Sequence, residues 1–140
     1  MKNLTLIALI LLFVTLLSCE NQKKYPDGVY LGKSKAIYNE ENFWGQVSIS
    51  IENGKIVTVD FKIIDSTSHE IFDNNYEKHY AGNQLYIEQC RNDWQGVIKY
   101  PESLIKSQDI DGVDVITGAT WSYNMLKYAT EDALKKNKAQ

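Results

Sequence analysis

The stretch Val47-Ser48-Ile49-Ser50-Ile51-Glu52-Asn53-Gly54-Lys55-Ile56-Val57-Thr58-Val59-Asp60-Phe61-Lys62-Ile63 decides the fold class. Val47, Ile49 and Ile51 alternate with Ser48, Ser50 and Glu52. Beyond Asn53-Gly54, the residues Val57, Val59, Phe61 and Ile63 alternate with Thr58, Asp60 and Lys62. Period-two alternation places the apolar side chains on one face of a strand. Asn-Gly tolerates the positive φ of a type I′ turn, so the stretch reads as an antiparallel hairpin. Its apolar face has to be covered.

Outward toward the C-terminus, the chain supplies that cover. Tyr86, Cys90 and Trp94 recur at helical spacing with Ile87 and Ile98 nearby, which predicts an amphipathic helix that Gly96 ends or disturbs. Pro101 to about Ser107 reads as a second short helix, because proline suits a first helical turn. After Thr120, Met125, Ala129 and Ala133 form one stripe with Leu126 and Leu134 beside it. Lys135, Lys136 and Lys138 gather at the end, where cations suit the helix dipole. Toward the N-terminus, Asp27-Gly28-Val29-Tyr30-Leu31-Gly32 starts an extended segment to about Tyr38. Residues 65–75 are polar and punctuated and read as a loop or excursion. The pattern is that of one α+β domain over 27–140: a small antiparallel sheet with a central hairpin, covered by helices.

The first residues belong to something else. Met1-Lys2-Asn3 is a short basic start, Leu4 to Leu17 an apolar run, and Leu16-Leu17-Ser18-Cys19 resembles a lipobox. The run is shorter than the ~20 residues of a membrane-spanning helix, which suits a secretory leader. Residues 1–18 are therefore expected to be a lipoprotein signal peptide, with Cys19 lipidated and 19–26 a tether; an uncleaved membrane anchor is the alternative. Either places the domain outside the cytoplasm, and the sequence leaves inner and outer membranes undecided. With Cys19 lipidated, Cys90 has no partner for an intrachain disulfide. It reads as a small buried hydrophobe, with an exposed reactive thiol as the other possibility.

Several chemistries are excluded. The net charge of −3, or −4 once Lys2 leaves with the leader, does not suit nucleic acid. Gly28 to Ser34 has three residues between its glycines where a phosphate-binding P-loop has four, and it lies in a strand context. His69-Glu70 lacks a second histidine at zinc-protease spacing and His79 stands alone, so no protein-held metal is expected. Asp109, Asp111 and Asp114 lack the rest of a calcium loop. No Gly-x-Ser-x-Gly elbow supports a hydrolase.

Asp114-Val115-Ile116-Thr117-Gly118-Ala119-Thr120 runs directly into the last helix. A threonine hydroxyl can form a phosphoester, and a helix N-terminus directs backbone N–H groups and its positive dipole end at an anion. Thr120 would sit there. Gly118 and Ala119 lack bulk, so the turn could pass close to a phosphate and a ring system, and Ser122 offers another hydroxyl. The same residues also read as an ordinary helix start with Thr117 or Thr120 as N-cap. Spacing alone does not choose between them.

These seven residues resemble the covalent flavin-attachment motif of the FMN-binding domain family: Asp, two free positions, Ser or Thr, Gly, Ala and Thr. The opening Asp27 to Gly32 segment resembles the family's first strand. The family includes flavin-bearing subunits of sodium-pumping and ferredoxin-linked respiratory complexes, and free lipoproteins that pass electrons outside the cytoplasm. The resemblance implies FMN joined covalently to Thr120, with Asp114, Thr117, Gly118, Ala119, Trp121, Ser122 and Tyr123 around it. Tyr38, Phe43, Trp44, Trp121 and Tyr123 are the aromatics to consider as walls for the ring. It further implies a separate magnesium-dependent flavin transferase that recognises the motif around Asp114 and uses FAD. Thr117 replaces a commoner serine, and Trp121 stands where small or hydroxyl residues are frequent, which implies slower modification.

The leading expectation is thus a lipid-anchored extracytoplasmic electron carrier, rather than a complete enzyme, between a membrane dehydrogenase or quinol donor and an unidentified outside acceptor. The alternatives are a lipoprotein that holds flavin or a related small molecule reversibly, and a structural envelope protein in which Thr120 is only an N-cap.

Overall fold

The computed structural model describes residues 25–35 and 42–135. The leader, Cys19, most of the tether, Tyr38, Lys136 and Lys138 lie outside them. Three strands, β1 (Gly28–Lys33), β2 (Phe43–Glu52) and β3 (Lys55–Asp65), form an antiparallel sheet in that order. Two helices, α1 (Gln84–Ser107) and α2 (Thr120–Lys135), pack on it. The architecture is α+β, as the hairpin and the helical stripes require.

The β2–β3 turn is the one read from Asn53-Gly54, with φ of 52° and 75°. One detail of the hairpin differs. Ser50 pairs with Thr58 but Ile51 pairs with Ile56, so Val57 is an extra residue on β3. A bulge of this kind shifts side-chain parity by one. Ile56 is therefore buried and Val57 exposed near the turn, whereas Phe61 and Ile63 point inward as expected. The inner face of the sheet is completed by Tyr30, Val47, Ile49 and Ile51.

The cover corrects the sequence reading more substantially. There are not two helices between 84 and 107 but one, continuing through Gly96 and Pro101. Pro101 removes one helical donor, yet burial of Val97, Tyr100 and Leu104 spans the interruption. The buried face also differs: Tyr86 and Ile98 are exposed, while Cys90, Asp93, Gly96, Val97, Tyr100 and Leu104 face inward. The α2 stripe of Met125, Leu126, Ala129 and Ala133 is buried as read. It lies close to the sheet because Gly32 and Gly45 have no side chain: a Cβ at either would overlap the α2 backbone at Ala129 or Met125.

After β3 the chain makes the expected excursion, but with apolar anchors. Ile64 bridges to Ile71, Phe72 is buried, and a 3-10 turn spans Tyr76–Tyr80. Asp65 holds its start by accepting from the Tyr76 hydroxyl at 2.7 Å, the Ser68 hydroxyl at 2.8 Å and the Thr67 N–H at 2.7 Å. At its far end α1 stops on Gln108 with φ of 60°. The Gln108 amide accepts from Ile56 N–H at 2.8 Å and donates to Ile56 C=O at 2.9 Å, continuing the edge of β3 as a strand would.

Candidate functional site

A 3-10 turn at Ile110–Gly112 leads into the seven-residue motif. Asp114, Val115, Thr117 and Thr120 are exposed, Ile116 and Gly118 half-buried, and Ala119 fully buried. Gly118 has φ of 80°, a conformation that a side chain disfavours. The turn closes with Ala119 N–H donating to Ile116 C=O at 2.9 Å, and the Ala119 carbonyl then accepts from Tyr123 N–H at 3.1 Å. Ala119 consequently occupies the cap position. Thr120 is the first helical residue, and its side chain lies at the surface.

One face of α1 holds this turn. Gln89, Asp93, Gly96 and Tyr100 follow each other at steps of four, three and four, so they form a single helical stripe. The Tyr100 hydroxyl, fully buried, donates to Ala119 C=O at 2.9 Å and accepts from Ile116 N–H at 3.0 Å. At Gly96 a Cβ would overlap Ser122 Oγ and the Tyr100 ring, so the two helices meet through a missing side chain. Asp93 Oδ1 accepts from both the backbone N–H and the hydroxyl of Ser122 at 3.1 Å. The Gln89 amide donates to Asp93 Oδ2 at 2.6 Å and to Gly118 C=O at 3.0 Å. A carboxylate at a helix N-terminus is a favourable cap, here supplied from another helix.

This alters the expectation that the N-terminus of α2 presents its amides to an incoming anion. The Ser122 N–H is already committed to a carboxylate on the buried side. Burial pushes the Asp93 carboxyl upward, with the bonds from Gln89 and Ser122 opposing that shift. An anion would therefore approach from the exposed side, where Thr120 lies.

Beside the motif is a cleft of about 320 Å³ lined by Phe43, Phe72, Tyr80, Tyr86, Trp121 and the edge of Gln89, Cys90 and Asp93. Trp121 meets Phe43 and Phe72 edge-on at centroid distances of 5.3 and 5.2 Å. Tyr80 and Tyr86 stack at 5.3 Å with 15° between planes. The volume falls at the lower end of small-ligand clefts, and the wall is mainly aromatic with a few convergent polar groups. Such a surface suits a planar ring system left partly open to solvent.

Of the aromatics expected as walls, Phe43 and Trp121 line the cleft. Tyr123 does not: its hydroxyl donates to Ile110 C=O at 3.3 Å and its ring packs against Tyr100. Trp44 lies under Lys33 Nζ, 5.5 Å from the ring centroid. The sequence reading missed Phe72, Tyr80, Gln89 and Asp93, and assigned Tyr86 to the core. The repeat of polar and small residues along α1 was the available signal. Cys90 is buried, and burial, then the charges of Asp93 and Glu77, push its thiol up to about 11. It stays protonated at neutral pH, which favours the small-hydrophobe reading over a reactive thiol.

The sequence model of the FMN-binding domain matches residues 41–135, which include α1, the motif and α2. No curated protein matches. Among solved structures, a crystal structure of a Clostridium perfringens protein is similar with a TM-score of 0.62 and 24% identity, covering 81% of this chain and 89% of that one. A solution structure from Clostridium thermocellum, also 24% identical, has a TM-score of 0.45 and covers 79% of this chain and 90% of that one. The likeness to the first is one of fold.

Proposed function

The chain belongs to the FMN-binding domain family, and on that premise we propose that it is a lipid-anchored extracytoplasmic electron carrier whose FMN is attached to Thr120 through a phosphoester. The carrying observation is the exposed Thr120 at the start of α2, held by the α1 stripe beside an aromatic cleft. The residues present fit the cofactor: a surface hydroxyl for the phosphate, and Phe43, Phe72, Trp121, Tyr80 and Tyr86 for the ring. In the attachment step Thr120 Oγ forms a bond to the flavin-side phosphorus of FAD. The phosphoanhydride bond breaks, AMP leaves, and the hydroxyl proton is released. A separate flavin transferase carries this out, and Asp114, exposed at the head of the motif, is available for it to recognise.

Bound FMN supplies the redox chemistry, while the protein supplies location and orientation. The side chains of the cleft exclude water from part of the ring, and covalent attachment keeps the cofactor where a dissociated flavin would be diluted away. Cys19, following Leu16-Leu17-Ser18, is the proposed lipidation site that holds the domain at a membrane surface. Electrons would arrive from a membrane dehydrogenase or quinol donor and leave to an extracytoplasmic acceptor.

The test is intact mass and visible absorbance of the exported mature chain co-expressed with a flavin transferase. A yellow chain heavier by one FMN less water, with colour surviving unfolding, is expected, and Thr120→Val should be colourless and unmodified. Colour that leaves on unfolding and persists in Thr120→Val would move the reading to reversible flavin binding. A colourless wild type, with a control substrate modified in parallel, would overturn covalent attachment.

A further inference from the structure

Gln89 and Asp93, one turn apart on α1, grip the motif on both sides of Thr120: Gln89 donates to the carbonyl of Gly118 at 3.0 Å, and Asp93 accepts from the N–H and hydroxyl of Ser122 at 3.1 Å. Their own bond, Gln89 Nε2 to Asp93 Oδ2 at 2.6 Å, joins the two grips. We infer that this pair is a positioning device for Thr120, fixing where its hydroxyl is presented for attachment. The inference rests on the Thr120 reading above and adds the residues that make it work.

The two grips do different things. Asp93 is 3% exposed and bonded to Ser122, so it already suffices to cap α2 and join the helices. Gln89 is exposed, so its bond to Gly118 lies at the surface and is not part of the buried contact between the helices. What it adds to the Tyr100 bonds at Ile116 and Ala119 is a hold on Gly118 itself, whose φ of 80° marks the motif's most permissive backbone position. Both hydrogens of one amide nitrogen are used, one on each partner, so the Gly118 carbonyl is held relative to Asp93 and hence to Ser122. Thr120, between the two, inherits that restraint. A group transfer is sensitive to such placement, because a shift of about 1 Å in a reacting group can cost on the order of a hundredfold in rate.

The experiment compares wild type, Gln89→Met and Gln89→Glu as folded, exported chains, using FAD and a flavin transferase. Transfer is followed by intact mass, and backbone amide exchange over residues 118–120 is measured before modification. Both variants keep the side-chain length and a good helix former, and both lack the donor. The expected result is transfer on the order of tenfold slower in both, with faster exchange at 118–120 and circular dichroism unchanged. Wild-type transfer in both variants overturns the positioning role while leaving attachment at Thr120 intact. Slow transfer in Gln89→Glu alone also overturns it, since added charge and not the lost tether would then be the cause. A wild type that takes no FMN while a control substrate does overturns both readings.

Discussion

At the scale of single residues, the decisive side chain is Asp93. It accepts from the N–H of Ser122, a residue with no exposed surface whose hydroxyl has a second acceptor in the Ala119 C=O at 3.0 Å, and leaving a buried donor unpaired costs about 1–3 kcal/mol. Asp93→Ala is expected to destabilise the domain by roughly 1–3 kcal/mol in urea unfolding. Asp93→Asn, which keeps an acceptor for Ser122, should cost clearly less; equal losses would show that the cap bond is not what Asp93 contributes. Cys90 makes the opposite prediction of inertness. With its thiol raised to about 11 and its side chain buried, iodoacetamide should label it slowly in the folded chain carrying Cys19→Ser, and rapidly in urea. Rapid labelling of the folded chain would restore the reactive-thiol reading.

At the scale of elements, α1 is both cover for the sheet and scaffold for the motif, and Gly96 is where the two roles meet. Alanine is the better helix former by about 1 kcal/mol. A Cβ there would nevertheless overlap Ser122 Oγ and the Tyr100 ring at the α1–α2 contact. Overpacking of this kind typically costs about 1–3 kcal/mol, so Gly96→Ala is expected to lower the thermal midpoint despite its propensity. A raised midpoint would mean that the helices separate at little cost. The hairpin shows a second element-scale effect. The extra residue at Val57 turns Ile56 inward, where Gln108 closes on its backbone at the end of α1.

At the scale of the whole molecule, the cleft is assembled from β2, the 65–80 excursion, α1 and α2, and the excursion depends on Asp65. Burial works to raise that carboxyl, but bonds from the Tyr76 and Ser68 hydroxyls and from backbone N–H groups outweigh it and lower it from 3.8 to about 2. The same pairing and burial push the Tyr76 hydroxyl upward. A carboxyl lowered by folding adds stability above its ordinary value, lost as pH falls through its folded value. For Asp65 the window runs from about pH 4 to 2, and the contribution is about 2 kcal/mol. Acid titration should therefore show a loss of stability over that window, with Trp121 and Tyr80 fluorescence changing as the cleft wall loosens. Asp65→Asn should remove this part of the pH dependence; an unchanged acid profile would show that ionised Asp65 is not what holds the excursion.

The hairpin, the α2 stripe and the motif were legible along the chain because each is local: a period of two, a period of 3.6, a fixed spacing of seven residues. The long α1 was not, since Gly96 and Pro101 are ordinary helix-breaking signals that only the buried Val97, Tyr100 and Leu104 override. The stripe of α1 that contacts the motif was hidden for a related reason. Gln89 and Asp93 are polar, and polar residues on a helix read as a solvated face until a partner with matching donors and acceptors is placed against them. Nor could the sequence say that Phe72, Tyr80 and Tyr86, spread over separate segments, would meet Trp121 and Phe43. By itself the sequence determined the α+β class, the turn at Asn53-Gly54 and the seven-residue motif that opens the last helix, because these depend on neighbours a few positions away. The tertiary structure alone decided which helix face binds the motif and where the cleft lies, because those depend on contacts between residues far apart in the chain.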